Sequence, residues 1–143
     1  MKRILVMSTL MLLSFSIYAS FQSTSFYTIK EWNPNWKVNL PESIQNDSLS
    51  GSAWFNLEFN RKTLKITKVR ILYINIQNRI SNKKIYEYRF GYKDLFVSDQ
   101  YSNQIKEYKS YLLKYCKKLT IVKTDTSNSD MTVKNELGIG FTF

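Results

Sequence analysis

Ser52-Ala53-Trp54-Phe55-Asn56-Leu57-Glu58-Phe59-Asn60 alternates with a period of two. Ala53, Phe55, Leu57 and Phe59 fall on one side, and Trp54, Asn56 and Glu58 on the other, which is the pattern of a strand with one buried face. Asn60-Arg61-Lys62-Thr63 then supplies a polar four-residue turn, so the next run pairs antiparallel as a hairpin. That second strand extends from about Leu64 to Ile76. Its inward parity changes between Ile66 and Val69, which predicts a bulge near Thr67-Lys68.

Downstream of the hairpin the signal weakens and then changes period. Ile85-Tyr86-Glu87-Tyr88-Arg89-Phe90 alternates loosely and Gly91 permits a turn, so residues 78–99 are expected to form an inserted hairpin arm. From Ser102 to Leu119 the spacing becomes helical. Ile105, Tyr108, Leu112, Tyr115, Cys116 and Leu119 make one stripe, with Ser102 placed to cap the N-terminus and Lys114, Lys117 and Lys118 near the C-terminal end. Thr124 to Asp130 reads as a polar loop. The chain closes on Leu137, Ile139, Phe141 and Phe143 alternating with Gly138, Gly140 and Thr142, a last strand with one apolar face.

The order hairpin, arm, helix, final strand predicts an α+β fold, in which one helix packs across a small antiparallel sheet so that both bury their apolar faces. Pro41 opens the domain, which spans 41–143, with room for one helical turn after it. The segment 20–40 reads as an N-terminal arm, where Trp32 and Trp36 flank the turn at Pro34 and cover an edge of the core.

The first nineteen residues point to export. Lys2 and Arg3 precede an uncharged run of 16 residues, Ile4 to Ala19, ending in Ile17-Tyr18-Ala19. That is the shape of a signal peptide, and it is shorter than the ~20 residues of a spanning helix. Cleavage after Ala19 would leave a periplasmic or secreted chain. Of the 21 basic side chains, 19 then face 11 acidic ones, a net charge of +8. The basic residues are scattered, and 16 are Lys, in a chain rich in Asn, Ile, Tyr and Phe. This composition reads as codon bias, and no nucleic-acid partner is expected.

Chemistry is sparse. The chain has no His and one Cys, which excludes His-dependent nucleophilic triads, His-containing zinc sites and thiolate clusters. Cys116 lies within the helical stripe, as a buried thiol does. Ser81-Asn82-Lys83-Lys84 matches S-x-x-K, but in a polar loop without the helix start and K-T-G strand that the chemistry needs. The acids, Glu58 and Asp94 among them, lie in turns and on polar strand faces, where a solvated role is expected. The abundant tyrosines suit a core whose hydroxyls reach water. No catalytic residue, metal site or cofactor is expected, and the chain is read as non-enzymatic. The alternative is a small outer-membrane β-barrel, suggested by the aromatic end at Phe143, or an envelope structural protein; against the barrel, the helical segment leaves too few residues for eight spanning strands.

Leu40-Pro41-Glu42, then Gly51, the strand from Ala53 to Phe59, Ile66 to Ile71, the helix, and Ile139 to Phe143 together resemble the TonB C-terminal domain family. The resemblance covers Pro41 to Phe143 and is one of pattern. This chain lacks that family's functional His and Pro-rich spacer, and Leu72 to Tyr101 reads as an insertion. The resemblance implies a module that adds an extended peptide to a sheet edge through main-chain hydrogen bonds. The expected edge is the final strand, with Leu137, Gly138, Ile139, Gly140, Phe141 and Phe143 as binding residues. The expected partner is another envelope protein or peptide, and Ile139→Pro is the substitution expected to block it.

Overall fold

The computed structural model describes residues 27–97, 99–124 and 135–143. The expected signal peptide at 1–19 and most of the expected polar loop lie outside the described residues. Among those described, no helix is long and apolar enough to cross a membrane.

The fold is α+β. Strands β1 (Tyr27–Ile29), β2 (Leu49–Phe59), β3 (Ile66–Asn78), β4 (Lys84–Arg89) and β5 (Leu95–Phe96) precede helix α1 (Ser102–Lys117), which is followed by β6 (Ile121–Lys123) and β7 (Glu136–Thr142). Five strands form one antiparallel sheet in the order β5-β4-β3-β2-β7, and β1 pairs with β6 in a small second ladder.

The β2–β3 hairpin follows from the alternation at 52–60. Ala53, Phe55, Leu57 and Phe59 are buried, whereas Trp54 on the opposite face is 40% exposed. The parity change in β3 has the expected cause: Phe59 pairs with Ile66 and Glu58 with Lys68, so Thr67 is an extra residue. A second extra residue, Leu72, sits between the Phe55–Ile71 and Trp54–Tyr73 pairs. Both hairpin turns are built the same way. The Asn60 side-chain oxygen accepts from the amides of Lys62 and Thr63, and Asn78 accepts from those of Ile80 and Ser81. Each turn ends on a residue at positive φ, Leu64 and Asn82. Such side-chain-to-backbone bonds are why Asn favours turns.

The arm expected at 78–99 is not a separate appendage. Ile74 pairs with Tyr88 and Ile76 with Tyr86, so β4 extends the main sheet and β5 forms its far edge. Helix α1 lies on the inner face, with Ile105, Tyr108, Leu112 and Cys116 buried as the stripe requires. The Tyr108 ring meets Phe143 edge-on at 5.8 Å. Ser102 does not cap the helix. The N-cap position falls on Tyr101 and carries no side-chain cap bond, because a single 3₁₀ turn, Asp99–Tyr101, leads the chain in.

The expected boundary at residue 41 also moves. Ile29, Trp36 and Val38 are buried in the core, so the arm assigned to 20–40 belongs to the domain from residue 27 onward. The polar residues between these apolar ones hide that in the sequence. Trp36 is an inner member of an aromatic cluster, 5.3 Å from Phe141, which in turn stacks on Phe55 at 5.5 Å. Trp32, 38% exposed, stays at the surface. The turn after Pro41 is present: the amides of Ile44 and Gln45 both donate to the Pro41 carbonyl.

Candidate edge-strand binding site

β7 is an edge strand of the five-stranded sheet. Its register with β2 pairs Phe141 with Ala53, Gly140 with Trp54, Ile139 with Phe55, Gly138 with Asn56, and Glu136 with Glu58. Gly51 and Phe143 exchange both main-chain hydrogen bonds at 3.0 Å, and the Phe59 amide donates to the Asn135 carbonyl at the other end. In an antiparallel ladder these doubly bonded pairs alternate with unbonded ones. The main-chain groups of Leu137, Ile139 and Phe141 therefore point to β2. Those of Glu136, Gly138, Gly140 and Thr142 point away from the sheet.

The two ends of that outer edge differ. At Thr142 it is occupied: the Thr142 amide donates to the Trp36 carbonyl at 3.0 Å, and the Val38 amide donates to the Thr142 carbonyl at 2.8 Å, a short parallel bridge through Lys37. A turn at Pro34-Asn35 then carries the chain off the edge; Pro34 has no amide, and that of Asn35 donates to the Asn33 side chain at 3.0 Å. Among the described residues, no main-chain group bonds the outward amides and carbonyls of Gly138 and Gly140.

The expected site residues divide accordingly. The side chains of Ile139, Phe141 and Phe143 are buried in the core, and Leu137 is half-buried. These residues hold the strand in place and have no side chain to offer a partner. Gly138 and Gly140 are the ones left on the outer edge. The Ile139 amide faces Phe55, so Ile139→Pro would break the sheet itself and cannot serve as the blocking substitution.

The glycines also shape the outer face. A Cβ on Gly140 would lie 2.8 Å from the Trp54 ring, so the indole covers that position. Among the described residues, a Cβ on Gly138 would meet nothing within 4 Å. The Trp54 side chain thus makes a close approach at Gly140, and an open notch remains at Gly138. Beside the notch, the Asn56 amide donates to the Glu136 carboxylate at 3.3 Å. Glu58, opposite Glu136, is already paired with Arg70 at 3.1 Å and Lys68 at 3.7 Å. The sequence shows the glycines but not this division of charges, which depends on register.

Other reactive groups are tied into structure. Burial pushes the Cys116 thiol up to about 12, which keeps it protonated at neutral pH. Tyr86 donates to Asp94 at 2.9 Å and accepts from Lys109 at 3.0 Å. Its phenol is pushed well above the usual range, first by burial and then by the Asp94 hydrogen bond, so it holds its proton and pins the β4–β5 turn to α1. Asp94, expected to be solvated, is part of this tie. Glu87 faces outward yet is buried beneath Lys84 and Arg89, whose hydrogen bonds, Lys84 first, hold its carboxyl below the ordinary value. Among the described residues no group of His, Cys, Asp or Glu is arranged to hold a metal ion.

No family model, curated protein or solved structure matches the chain.

Proposed function

We propose that this chain is an exported, non-enzymatic protein-interaction module of the cell envelope, periplasmic or secreted, which binds an extended peptide by strand addition to β7. The observation that carries the reading is the pair of outward-facing main-chain positions at Gly138 and Gly140, which no described residue bonds, on a sheet edge with no side chain at either residue to obstruct an incoming backbone. Exposed edges invite pairing, and proteins that do not use them usually block them with bulges, prolines or charges. Among the described residues the block is confined to Thr142. The pattern resemblance to TonB C-terminal domains supports the same mode, and the leader-like residues 1–19 support export.

Gly138→Pro is the discriminating substitution. It removes one outward donor while leaving every bond to β2, and an edge strand tolerates proline where its amide faces solvent. Among the described residues, a Cβ at this position has open space. Peptides are selected from a random nine-residue library on the immobilised protein, and their affinities are measured for both forms. The expected result is at least a tenfold loss on Gly138→Pro with the far-ultraviolet circular dichroism unchanged. Equal affinity for the two forms, or a library that yields no binder, rejects the reading.

A further inference from the structure

The notch at Gly138 has a chemical character of its own, and this inference rests on the strand-addition reading. We infer that the added strand carries a single long cationic side chain, Arg or Lys, at the position facing Gly138.

Three features converge there. The bare Gly138 position leaves room for a side chain from the incoming strand to lean back across β7 towards β2. On one side lies Trp54, whose indole covers Gly140 and is 40% exposed, so an aromatic surface borders the notch. On the other side lies Glu136, exposed at the start of β7 and held by the Asn56 amide. Among the described residues no cation pairs with Glu136, because Arg70 and Lys68 are engaged by Glu58.

A neutral branched side chain would fill the notch but leave the carboxylate without a counter-charge. An acidic one would meet the like charge of Glu136. A guanidinium or ammonium on a flexible stem can reach the carboxylate while its stem lies along the indole. Same-face neighbours on adjacent strands, including diagonal ones, are within reach of long side chains. The exported chain, without Lys2 and Arg3, is strongly basic at +8, which opposes a polybasic partner at long range. The inference is therefore one cation in an otherwise neutral strand.

Both contacts are exposed, and exposed ion pairs and cation–π contacts are each weak. Together they give about a three- to tenfold preference. The test takes a library-selected peptide, finds the residue facing Gly138 by cross-linking from a photoreactive side chain placed at each position in turn, and varies that residue among Arg, Leu and Glu. The expected order of affinity is Arg, Leu, Glu, with the Arg advantage over Leu falling below twofold on Glu136→Gln. Equal binding of the three peptides, or an Arg advantage that survives Glu136→Gln, overturns this inference and leaves strand addition standing. Failure of any peptide to bind, or binding indifferent to Gly138→Pro, removes both.

Discussion

Phe55→Ala lowers the free energy of unfolding by about 3–5 kcal/mol, read as a shift of the urea midpoint at unchanged slope. Phe55 is fully buried on β2, stacks on Phe141, and pairs across strands with Ile139 on one side and Ile71 on the other. Truncation removes the ring and leaves a cavity among neighbours fixed on three strands, which cannot collapse into it. A domain of this size has roughly 5–15 kcal/mol in total, so the variant loses a large fraction of its stability. A loss below 1 kcal/mol would mean that the inner face of the sheet is not the core.

Gly51→Ala is the second large effect, and it comes from crowding rather than from loss. A Cβ at Gly51 would lie 2.3 Å from the Phe143 ring and 2.7 Å from the Asn75 carbonyl oxygen. The ring can shift, but the carbonyl belongs to β3 and cannot move without disturbing the sheet. The expected cost is about 1–3 kcal/mol. Adding Phe143→Leu relieves the first clash only, so the double variant stays less stable than Phe143→Leu alone. Gly138→Ala is the control: with open space at its Cβ, it changes stability by less than about 1 kcal/mol. If Gly51→Ala and Gly138→Ala behave alike in chemical denaturation, the close approach of Phe143 to β2 is wrong.

These two sites also mark how far the sequence can be read. Phe55 was legible, because a period of two along 52–60 needs only local information. The stripe from Ile105 to Cys116 was legible for the same reason, and the parity slip in β3 located the bulge at Thr67. Gly51 was legible only as a residue near the start of a strand. Its requirement comes from Phe143, 92 positions away in the chain, and no local pattern reports that.

The same limit explains the misplaced N-terminal boundary. Trp36 and Val38 look like isolated apolar residues in a polar stretch until their main chain bridges Thr142. Ser102 had the chemistry of a cap, but the preceding 3₁₀ turn placed Tyr101 there instead.

For the candidate site, the alternation of Gly138 and Gly140 is legible, and the family resemblance puts their strand at an edge. Which residues of β7 face outward is not legible. That depends on the parity of its pairing with β2, and a shift of one residue reverses it. The parity changes the experiment, since it moves the informative proline from Ile139 to Gly138. Glu87 and Asp94 show the converse: both acids sit in polar surroundings by sequence, yet ion pairs or hydrogen bonds formed only in the fold engage them.

Amide hydrogen exchange of the isolated protein, resolved at β7 by NMR, tests the open edge most directly. The account predicts slow exchange at Ile139 and Phe141, whose amides bond β2, and exchange at Gly138 and Gly140 at least a hundredfold faster, slowing when a selected peptide is added. Protection of Gly138 and Gly140 equal to that of Ile139 in the peptide-free protein would show the edge already paired and would contradict the account.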